Sequence, residues 1–267
     1  MKGPSSGAPG EPTGRFSKAW DDYADRSCPS AGQWPGDEWG DERLWAAWFD
    51  RLFEPFGVRQ WRRAIEIGQG AGKYTEKVLV AGDSNVLALD VSEKLRVLCE
   101  RRLKSHVASG RLRIHGIDER DPDAIARAWR DAGWEGDVDA IYSIDALVHL
   151  TVTQVVALML SGTEVLRVGG WFIGTFADGT SALGLNKLIF DMDRVVRGGS
   201  DPATACFHWC SPDLIRSLAR HLGYEVAVCD LDPEHRRDGH FVLRFADRKQ
   251  AAIAMSFRNR GTIRTST

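Results

Sequence analysis

The chain has few cysteines, almost no net charge and no long apolar run. Its five cysteines among 267 residues are an odd number at irregular spacing, which argues against a disulfide framework and favours a reducing cytoplasm. A formal net charge of −2 gives no global field that would attract nucleic acid or an anionic membrane. The longest apolar runs, such as residues 155–160, are far too short to span a bilayer. We therefore expect a cytoplasmic protein with neither nucleic acid nor a membrane as its partner.

Composition divides the chain into four zones. Residues 1–14 are rich in Gly, Pro and Ser and lack the apolar stretch of a secretory signal, which predicts a disordered lead-in. Residues 15–60 hold five of the ten tryptophans, and we expect an N-terminal helical cap there. Residues 61–246 alternate short apolar runs with amphipathic stretches and are expected to form the main domain. Residues 247–267 are a basic tail, expected to be solvated and frayed.

The main domain has the pattern of repeated strand–helix units. Ser92 is positioned to cap one helix, and Gly223 to end another. Short strands separated by helices indicate a mainly parallel α/β sheet with helices on both faces. Ligand sites in such sheets lie at the carboxyl ends of the strands. The predicted strands cover residues 64–67, 85–90, 111–115, 139–144, 171–176, 224–229 and 240–245.

A glycine-rich loop follows the first predicted strand. Residues 66–75 read EIGQGAGKYT and lead into a helix, which is the context of a nucleotide-binding loop. Glycines let the backbone turn tightly and approach a ligand closely. Asp90 ends the next predicted strand, and a carboxylate there can accept hydrogen bonds from both hydroxyls of a ribose. The pattern indicates an adenosine site.

Two classes of adenosine ligand compete for this loop. A dinucleotide fingerprint needs glycine at the position of Lys73, and the charge of Glu66 would repel a pyrophosphate. S-adenosyl-L-methionine (SAM) carries a sulfonium and an ammonium and no phosphate, so a carboxylate beside the loop suits it. These residues favour SAM over a nicotinamide cofactor, and a glycine loop without a ligand remains the third interpretation.

Over about residues 61–246 the chain resembles the class I SAM-dependent methyltransferases. Residues 66–72 look like the first motif of that family, Asp90 matches its ribose-binding acid, and residues 116–118 look like the third motif. Residues 138–150 resemble the fourth motif. Residues 164–171 resemble the turn before the fifth strand, with Val168 where the family usually has proline.

The resemblance implies a fold, a cofactor and a set of cofactor residues. The fold is a Rossmann-like, seven-stranded mixed sheet of order 3-2-1-4-5-7-6 with the last strand antiparallel. The cofactor is SAM, and S-adenosyl-L-homocysteine (SAH) is the product. Asp118 would reach the adenine amino group, although Glu119, Asp121 or a merely solvated turn remain alternatives. The candidate cofactor residues are Glu66, Gly68, Gly70, Gly72, Tyr74, Thr75, Asp90, Val91, Asp118, Ser143 and Ile144.

Two catalytic candidates follow the fourth strand. His149 lies four residues after Asp145, so a helical turn starting at Asp145 would place both side chains on one face. We interpret His149 as the general base and Asp145 as the group that orients it; alternatively, His149 packs under the cofactor. Asp145 could instead ligate Mg²⁺ together with Asp178 or Asp191, but no spacing demands this, and no metal is assigned.

Two regions are candidates for the acceptor site. Tyr23 and Trp39 lie in the Trp- and acid-rich segment of the cap, which we interpret as a lid over SAM and acceptor or as a packed helical cap. Residues 178–208 form an insertion after the fifth strand, and His208 or Trp209 is expected near the acceptor. A zinc site made by His208 with Cys206 and Cys210 is disfavoured, because no second ligand cluster exists.

The predicted activity is SAM-dependent methyl transfer to a small-molecule acceptor. The expected acceptor is a hydroxyl of a sugar, a glycan end or a secondary metabolite. Nitrogen or carboxylate acceptors stay open, as does a protein that binds SAM or adenosine without catalysis and serves as a partner subunit. A nicotinamide-dependent oxidoreductase is a third possibility. The sequence does not distinguish a monomer from a homodimer.

Overall fold

An eight-stranded sheet forms the centre of the computed structural model, which describes residues 15–27, 33–39, 42–196, 207–231 and 238–263. The predicted lead-in of residues 1–14 lies outside the described residues. The strands are β1 (Arg63–Ile67), β2 (Asn85–Asp90), β3 (Leu112–Gly116), β4 (Val138–Ser143), β5 (Leu166–Asp178), β6 (Trp209–Cys210), β7 (Tyr224–Leu231) and β8 (Asp238–Phe245).

The order of the strands confirms the predicted topology. The path across the sheet is β3-β2-β1-β4-β5-β8-β7, and the two-residue β6 pairs with β5 off this path. Strands β1 to β5 are parallel, whereas β8 runs antiparallel to both of its neighbours, β5 and β7. Without β6, this is the order 3-2-1-4-5-7-6 with a reversed last strand.

The helices lie along the described chain as α1 (Arg15–Arg26), α2 (Glu42–Leu52), α3 (Lys73–Ala81), α4 (Glu93–Arg102), α5 (Lys104–Ala108), α6 (Ala124–Asp131), α7 (Val152–Val165), α8 (Ala182–Val196), α9 (Pro212–His221) and α10 (Arg248–Ile263). Short 3₁₀ turns cover Asp37–Trp39, Glu54–Phe56, Val58–Gln60 and Leu147–His149. Ser92 caps α4 as predicted, because its hydroxyl accepts from the Leu95 amide. No helix of the described chain is both long and apolar enough to span a bilayer.

Two apolar clusters cover the two faces of the sheet. Alternate side chains of a strand point to opposite faces. Ile65 therefore belongs to one cluster and Ala64 to the other. Trp45 and Trp48 of α2 are buried in the second cluster, so α2 packs against the sheet. Burial on both faces explains why the parallel strands read as continuous apolar runs.

The segment expected to be a frayed tail instead forms α10 over Arg248–Ile263. Ala251 is buried against the core, and both carboxylate oxygens of Asp123 accept from the Arg258 guanidinium at 2.6 Å. A bidentate pair of this kind fixes geometry as well as charge. The many basic residues of this segment led to the prediction of a solvated tail. No local pattern indicates that Arg258 pairs with a carboxylate 135 residues away.

Candidate active site

A cavity of about 440 Å³ lies at the carboxyl ends of β1, β2 and β4. Its walls come from the glycine loop, the loops after β2, β3 and β4, one face of α7, and the N-terminal segments 15–27 and 33–39. Twelve of the predicted site residues line it: Tyr23, Trp39, Glu66, Gly68, Gly70, Tyr74, Asp90, Val91, Asp118, Ile144, Asp145 and His149.

The glycine loop is shaped for close approach. Gly68 has φ +71°, its amide donates to Leu89 O at 2.7 Å, and a Cβ there would lie 2.4 Å from the Ala146 Cβ. Gly70 has φ +55°, and a Cβ there would meet nothing within 4 Å. Both conformations favour glycine. Gly68 is therefore required by packing, whereas the open space at Gly70 forms a cradle in the cavity wall.

Asp90 is buried at the end of β2 and faces the loop. One carboxylate oxygen accepts from the Gly70 amide at 3.0 Å and the other from the Ser92 amide at 2.8 Å. Burial raises the pKa of Asp90, and these two hydrogen bonds oppose that rise. Each oxygen of an ionised carboxylate accepts about two hydrogen bonds, so acceptor capacity is left for a ligand.

Glu66 is a buried carboxyl group behind the loop. It accepts hydrogen bonds from the hydroxyls of Thr75 and Tyr142, the latter at 3.0 Å. Burial raises the pKa of Glu66 to about 7, and these two hydrogen bonds limit the rise. Burial thus favours the protonated form of Glu66, and the hydrogen bonds from Thr75 and Tyr142 favour the carboxylate.

Three predicted cofactor residues support the wall instead of lining it. Thr75 holds Glu66, and the Ser143 hydroxyl donates to Ile67 O at 2.9 Å. Gly72 allows the loop to approach α4, because a Cβ there would lie 2.8 Å from the Cys99 sulfur. In the described cavity wall these three residues are absent.

Gln69 and Lys73, which the sequence interpretation missed as site residues, also line the cavity. Gln69 is 5% exposed, and neither polar atom of its amide has a hydrogen-bond partner in the described structure. The Tyr74 side chain is 4% exposed, and its hydroxyl also has no hydrogen-bond partner in the described structure. The Lys73 ammonium lies 4.2 Å from the centroid of the Trp45 ring, and burial lowers its pKa. The position of Gln69 between two glycines of the loop could have indicated that it lines the cavity.

Unpartnered buried polar atoms favour a polar ligand at this end of the cavity. Each such atom costs about 1–3 kcal/mol when it is left without a partner. The amide of Gln69 offers two donors and an acceptor, and the hydroxyl of Tyr74 offers a donor. Burial and nearby carboxylates raise the pKa of Tyr74, so its hydroxyl stays protonated.

The three acids after β3 have different partners. Asp118 lines the cavity, and its carboxylate accepts from the Arg120 guanidinium at 2.9 and 3.0 Å, which lowers the pKa of Asp118. Glu119 accepts from the amides of Phe16 and Ser17 at 2.9 and 3.1 Å, at the N-terminus of α1. Asp121 pairs with the Arg127 guanidinium at 2.6 Å.

Asp145 has a backbone conformation that distinguishes it from its neighbours. Its φ is +59°, the one positive value for a non-glycine residue in the described chain, and its amide donates to the Thr175 hydroxyl at 2.8 Å. The 3₁₀ turn covers Leu147–His149, so the helical turn expected to begin at Asp145 does not form. Asp145 and His149 nevertheless line the same cavity. Left-handed backbone at a non-glycine residue is a common mark of functional sites.

The His149 ring lies between two aromatic side chains. The Trp20 ring is 5.1 Å away at an interplanar angle of 75°, and the Phe207 ring is 5.3 Å away at 62°. His149 is buried at the rim of the cavity. A histidine at this place is therefore oriented by edge-to-face packing.

The N-terminal segments lie over the same end of the cavity. Phe16, Trp20 and Tyr23 of α1 line it, and the Tyr23 ring stacks on the Trp39 ring at 4.8 Å and 25°. Asp21 of α1 accepts from the Ser92 hydroxyl at 2.6 Å and from the Lys94 amide at 3.1 Å. Hydrogen bonds to Glu119 and from Ser92 thus attach α1 to the loops after β3 and β2.

The predicted acceptor residues His208 and Trp209 are absent from the described cavity wall. The His208 amide donates to Val148 O at 2.8 Å, and its side chain is exposed. Trp209 pairs with Ala177 in β6. Phe207, the residue before His208, contacts the His149 ring.

No set of three or more metal-ligating side chains converges within the described residues. Asp178 accepts from the amide and hydroxyl of Thr180 at 2.7 and 2.6 Å, and Asp191 pairs with Lys187. Cys206 lies outside the described residues.

Comparison with known proteins gives a likeness of fold. No protein-family model and no curated protein sequence matches the chain. An O-methyltransferase family protein from Burkholderia thailandensis is similar with TM-score 0.58 and 16% identity, over 77% of this chain and 57% of that chain. The chain thus spans less than two thirds of the length of that protein.

Two further solved structures are closer in length. The magnesium protoporphyrin IX methyltransferase ChlM from Synechocystis PCC 6803 is similar with TM-score 0.60 and 16% identity, over 86% of this chain and 96% of that chain. A putative sarcosine dimethylglycine methyltransferase from Galdieria sulphuraria gives TM-score 0.54 and 14% identity, over 77% and 86% of the two chains. The fold of this chain is that of the class I SAM-dependent methyltransferases.

Proposed function

We propose that this protein is a methyltransferase that binds SAM in the cavity and methylates a small molecule beside His149. The observation that carries the proposal is the pairing, in one cavity, of the buried Asp90 carboxylate with the open cradle at Gly70. The Synechocystis structure, described as containing bound SAH, has this fold. Support for an activity in this chain comes from its own residues.

The nucleoside half of SAM fits the end of the cavity around Asp90. The Asp90 carboxylate would accept hydrogen bonds from the ribose hydroxyls, each worth about 1.5–3 kcal/mol net. Val91, Leu95 and Ile117 supply apolar surface for the adenine, and Asp118 would accept from its amino group. The hydrogen bonds from Arg120 lower the pKa of Asp118, which favours the ionised form that accepts from an amino group.

The methionyl half fits the end around the glycine loop. The amide of Gln69 and the hydroxyl of Tyr74 would donate to the carboxylate of the cofactor, and Lys73 would supply a positive charge. The Glu66 carboxyl group, which also lines the cavity, would accept a hydrogen bond from the ammonium of the cofactor. The cavity as a whole has an excess of acids, which suits a ligand with net positive charge. Its acids are Glu66, Asp90, Asp118, Glu119, Asp121 and Asp145, against Lys73 and Arg120.

Bound SAM would supply an electrophilic methyl carbon on a sulfonium, which an acceptor attacks in line with the departing sulfur. His149 is then placed to take the proton of the acceptor, and Asp145 to hold the charge that develops on the imidazole. Trp20 and Tyr23 would exclude water from the reacting groups. Positioning of this kind contributes about 7–11 kcal/mol in well-oriented reactions.

Calorimetry with three ligands tests the proposal. We expect SAM and SAH to release heat at a single site and NAD to give none, because the charge of Glu66 repels a pyrophosphate and Lys73 stands where the dinucleotide fingerprint needs glycine. Transfer of a labelled methyl group to an acceptor then separates an enzyme from a subunit that binds SAM without catalysis. Binding of NAD in preference to SAH would refute the assignment.

A further inference from the structure

We infer that the acceptor is an aromatic molecule whose methylated hydroxyl sits directly on the ring. This inference rests on the proposed function and narrows the expected class of hydroxyl acceptors. It comes from the wall of the cavity beside His149. The Trp20 ring contacts the rings of Tyr23, Trp39 and His149 at 5.6, 5.8 and 5.1 Å. These rings, together with Pro35, present a continuous apolar surface at the acceptor end.

The acids near that wall already have partners. The Glu38 carboxylate accepts from the Tyr23 hydroxyl and, at 2.8 Å, from the Gly36 amide. Asp37 accepts from the Arg102 guanidinium at 3.2 Å and from the Trp34 amide at 3.1 Å. Glu38 holds the loop against Tyr23 of α1, and Asp37 holds it against Arg102 of α4. Neither carboxylate belongs to the described cavity wall, so a sugar bound in the cavity would not meet them.

The Tyr23 hydroxyl and the Gln154 amide oxygen of this wall also have hydrogen-bond partners within the protein. The Tyr23 hydroxyl donates to Glu38 and accepts from Gly36 at 2.9 Å. The amide oxygen of Gln154 accepts from the backbone amide and hydroxyl of Thr151 at 3.0 and 2.9 Å. A sugar would bury several hydroxyls against this surface, and each one left without a partner is costly. An aromatic ring gains apolar burial and edge or face contacts there.

The acidity of the acceptor points the same way. A phenol has a pKa of about 10, whereas an aliphatic hydroxyl is a far weaker acid, comparable to water. A phenol therefore yields its proton to an imidazole about 10⁵–10⁶ times more readily at equilibrium. In the step, the hydroxyl proton passes to His149, the oxygen–carbon bond forms, and the sulfur of SAM keeps the electron pair of the broken carbon–sulfur bond. A single imidazole base is thus matched to a phenol.

Titration of the SAH-loaded protein with 1-naphthol and with myo-inositol tests the inference, alongside methyl transfer from SAM to phenol, benzyl alcohol and benzylamine. We expect 1-naphthol to bind and myo-inositol not to bind, and phenol to be methylated in preference to the other two. Benzyl alcohol shares the ring but has an aliphatic hydroxyl, so it isolates the contribution of acidity.

Two variants test whether the aromatic rings of the cavity wall bind the acceptor. Trp39→Leu removes a ring that is 43% exposed, and Phe257→Leu removes one that is 64% exposed on α10. We expect Trp39→Leu to raise the KM for phenol about tenfold while the Kd of SAH changes less than twofold, and Phe257→Leu to change neither.

The outcomes separate the two proposals. If SAH binds but 1-naphthol does not, or if myo-inositol, benzyl alcohol or benzylamine is preferred, the acceptor class is wrong and the methyltransferase stands. If SAH does not bind, the proposed function fails, and the acceptor class fails with it.

Discussion

The hydroxyl of Ser92 donates to the carboxylate of Asp21 over 2.6 Å, across 71 residues of chain. Ser92 also donates its amide to Asp90, the acid that would grip the ribose. One residue thus joins helix α1 to the carboxylate of Asp90. We therefore expect the affinity of a cofactor that binds Asp90 to depend on the position of α1.

Asp21→Ala should loosen α1 and weaken SAH binding. The loss of a capping hydrogen bond costs about 1 kcal/mol, so we expect the Kd of SAH to rise about fivefold. Hydrogen exchange in residues 15–27 should become faster. Asp25→Ala is the control, because Asp25 of the same helix pairs with Lys94 at the surface, where ion pairs contribute little. Equal effects of the two substitutions would contradict the role of Ser92.

His149→Ala should lower kcat about 10²–10⁴-fold and leave the Kd of SAH within a factor of two. A base must be unprotonated, so the wild-type rate should fall as pH is lowered through the pKa of the base, and the variant should lack that fall. His208→Ala removes an exposed histidine outside the described cavity wall and should be neutral. An unchanged pH profile in His149→Ala, measured by initial rates, would assign the base elsewhere.

Glu66→Gln should change how stability depends on pH. Burial raises the pKa of Glu66 in the folded protein to about 7, against an unperturbed value of 4.5. The folded state therefore holds the proton more tightly, and the contribution to stability is present below pH 4.5 and lost as pH rises to about 7. The loss amounts to about 3 kcal/mol.

Urea unfolding of both proteins between pH 4.5 and 8 measures this difference. Relative to wild type, Glu66→Gln should gain stability as pH rises, whereas the exposed-site control Glu225→Gln should run parallel to wild type. A constant offset for Glu66→Gln across the range would show that Glu66 does not titrate there.

Gly70→Ala should separate binding from folding. Gly70 and Gly110 both have positive φ, +55° and +77°, and a Cβ at either position meets nothing within 4 Å. Each alanine substitution should therefore cost a similar free energy of unfolding, about 1–2 kcal/mol. Only Gly70→Ala fills the cradle in the cavity wall, so it alone should abolish SAH binding in calorimetry. Normal SAH binding by Gly70→Ala would remove the loop from the site.

The positions of the strands and of Asp90 could be predicted because local patterns encode them. Parallel strands buried on both faces give continuous apolar runs, and Asp90 sits where such a run ends. The order of the strands also needed the family resemblance, since spacing along the chain does not determine which strands are neighbours.

Other features depend on contacts between distant residues, and the sequence did not reveal them. The Phe207 ring contacts the His149 ring, and no local pattern marks Phe207 for that contact. Glu119 looked like a possible adenine contact but caps α1. The left-handed backbone of Asp145 has no signal in the sequence around it.

The most direct measurement of the central claim is calorimetric titration of SAH into wild type, Asp90→Asn and Asp83→Asn. Asp90 is the last residue of β2, whereas Asp83 lies just before the start of β2 and is exposed. We expect SAH to bind wild type and Asp83→Asn equally, and Asp90→Asn at least tenfold more weakly, since a charge-assisted hydrogen bond contributes about 1.5–3 kcal/mol. Absence of binding to wild type, or equal binding to all three, would contradict the account.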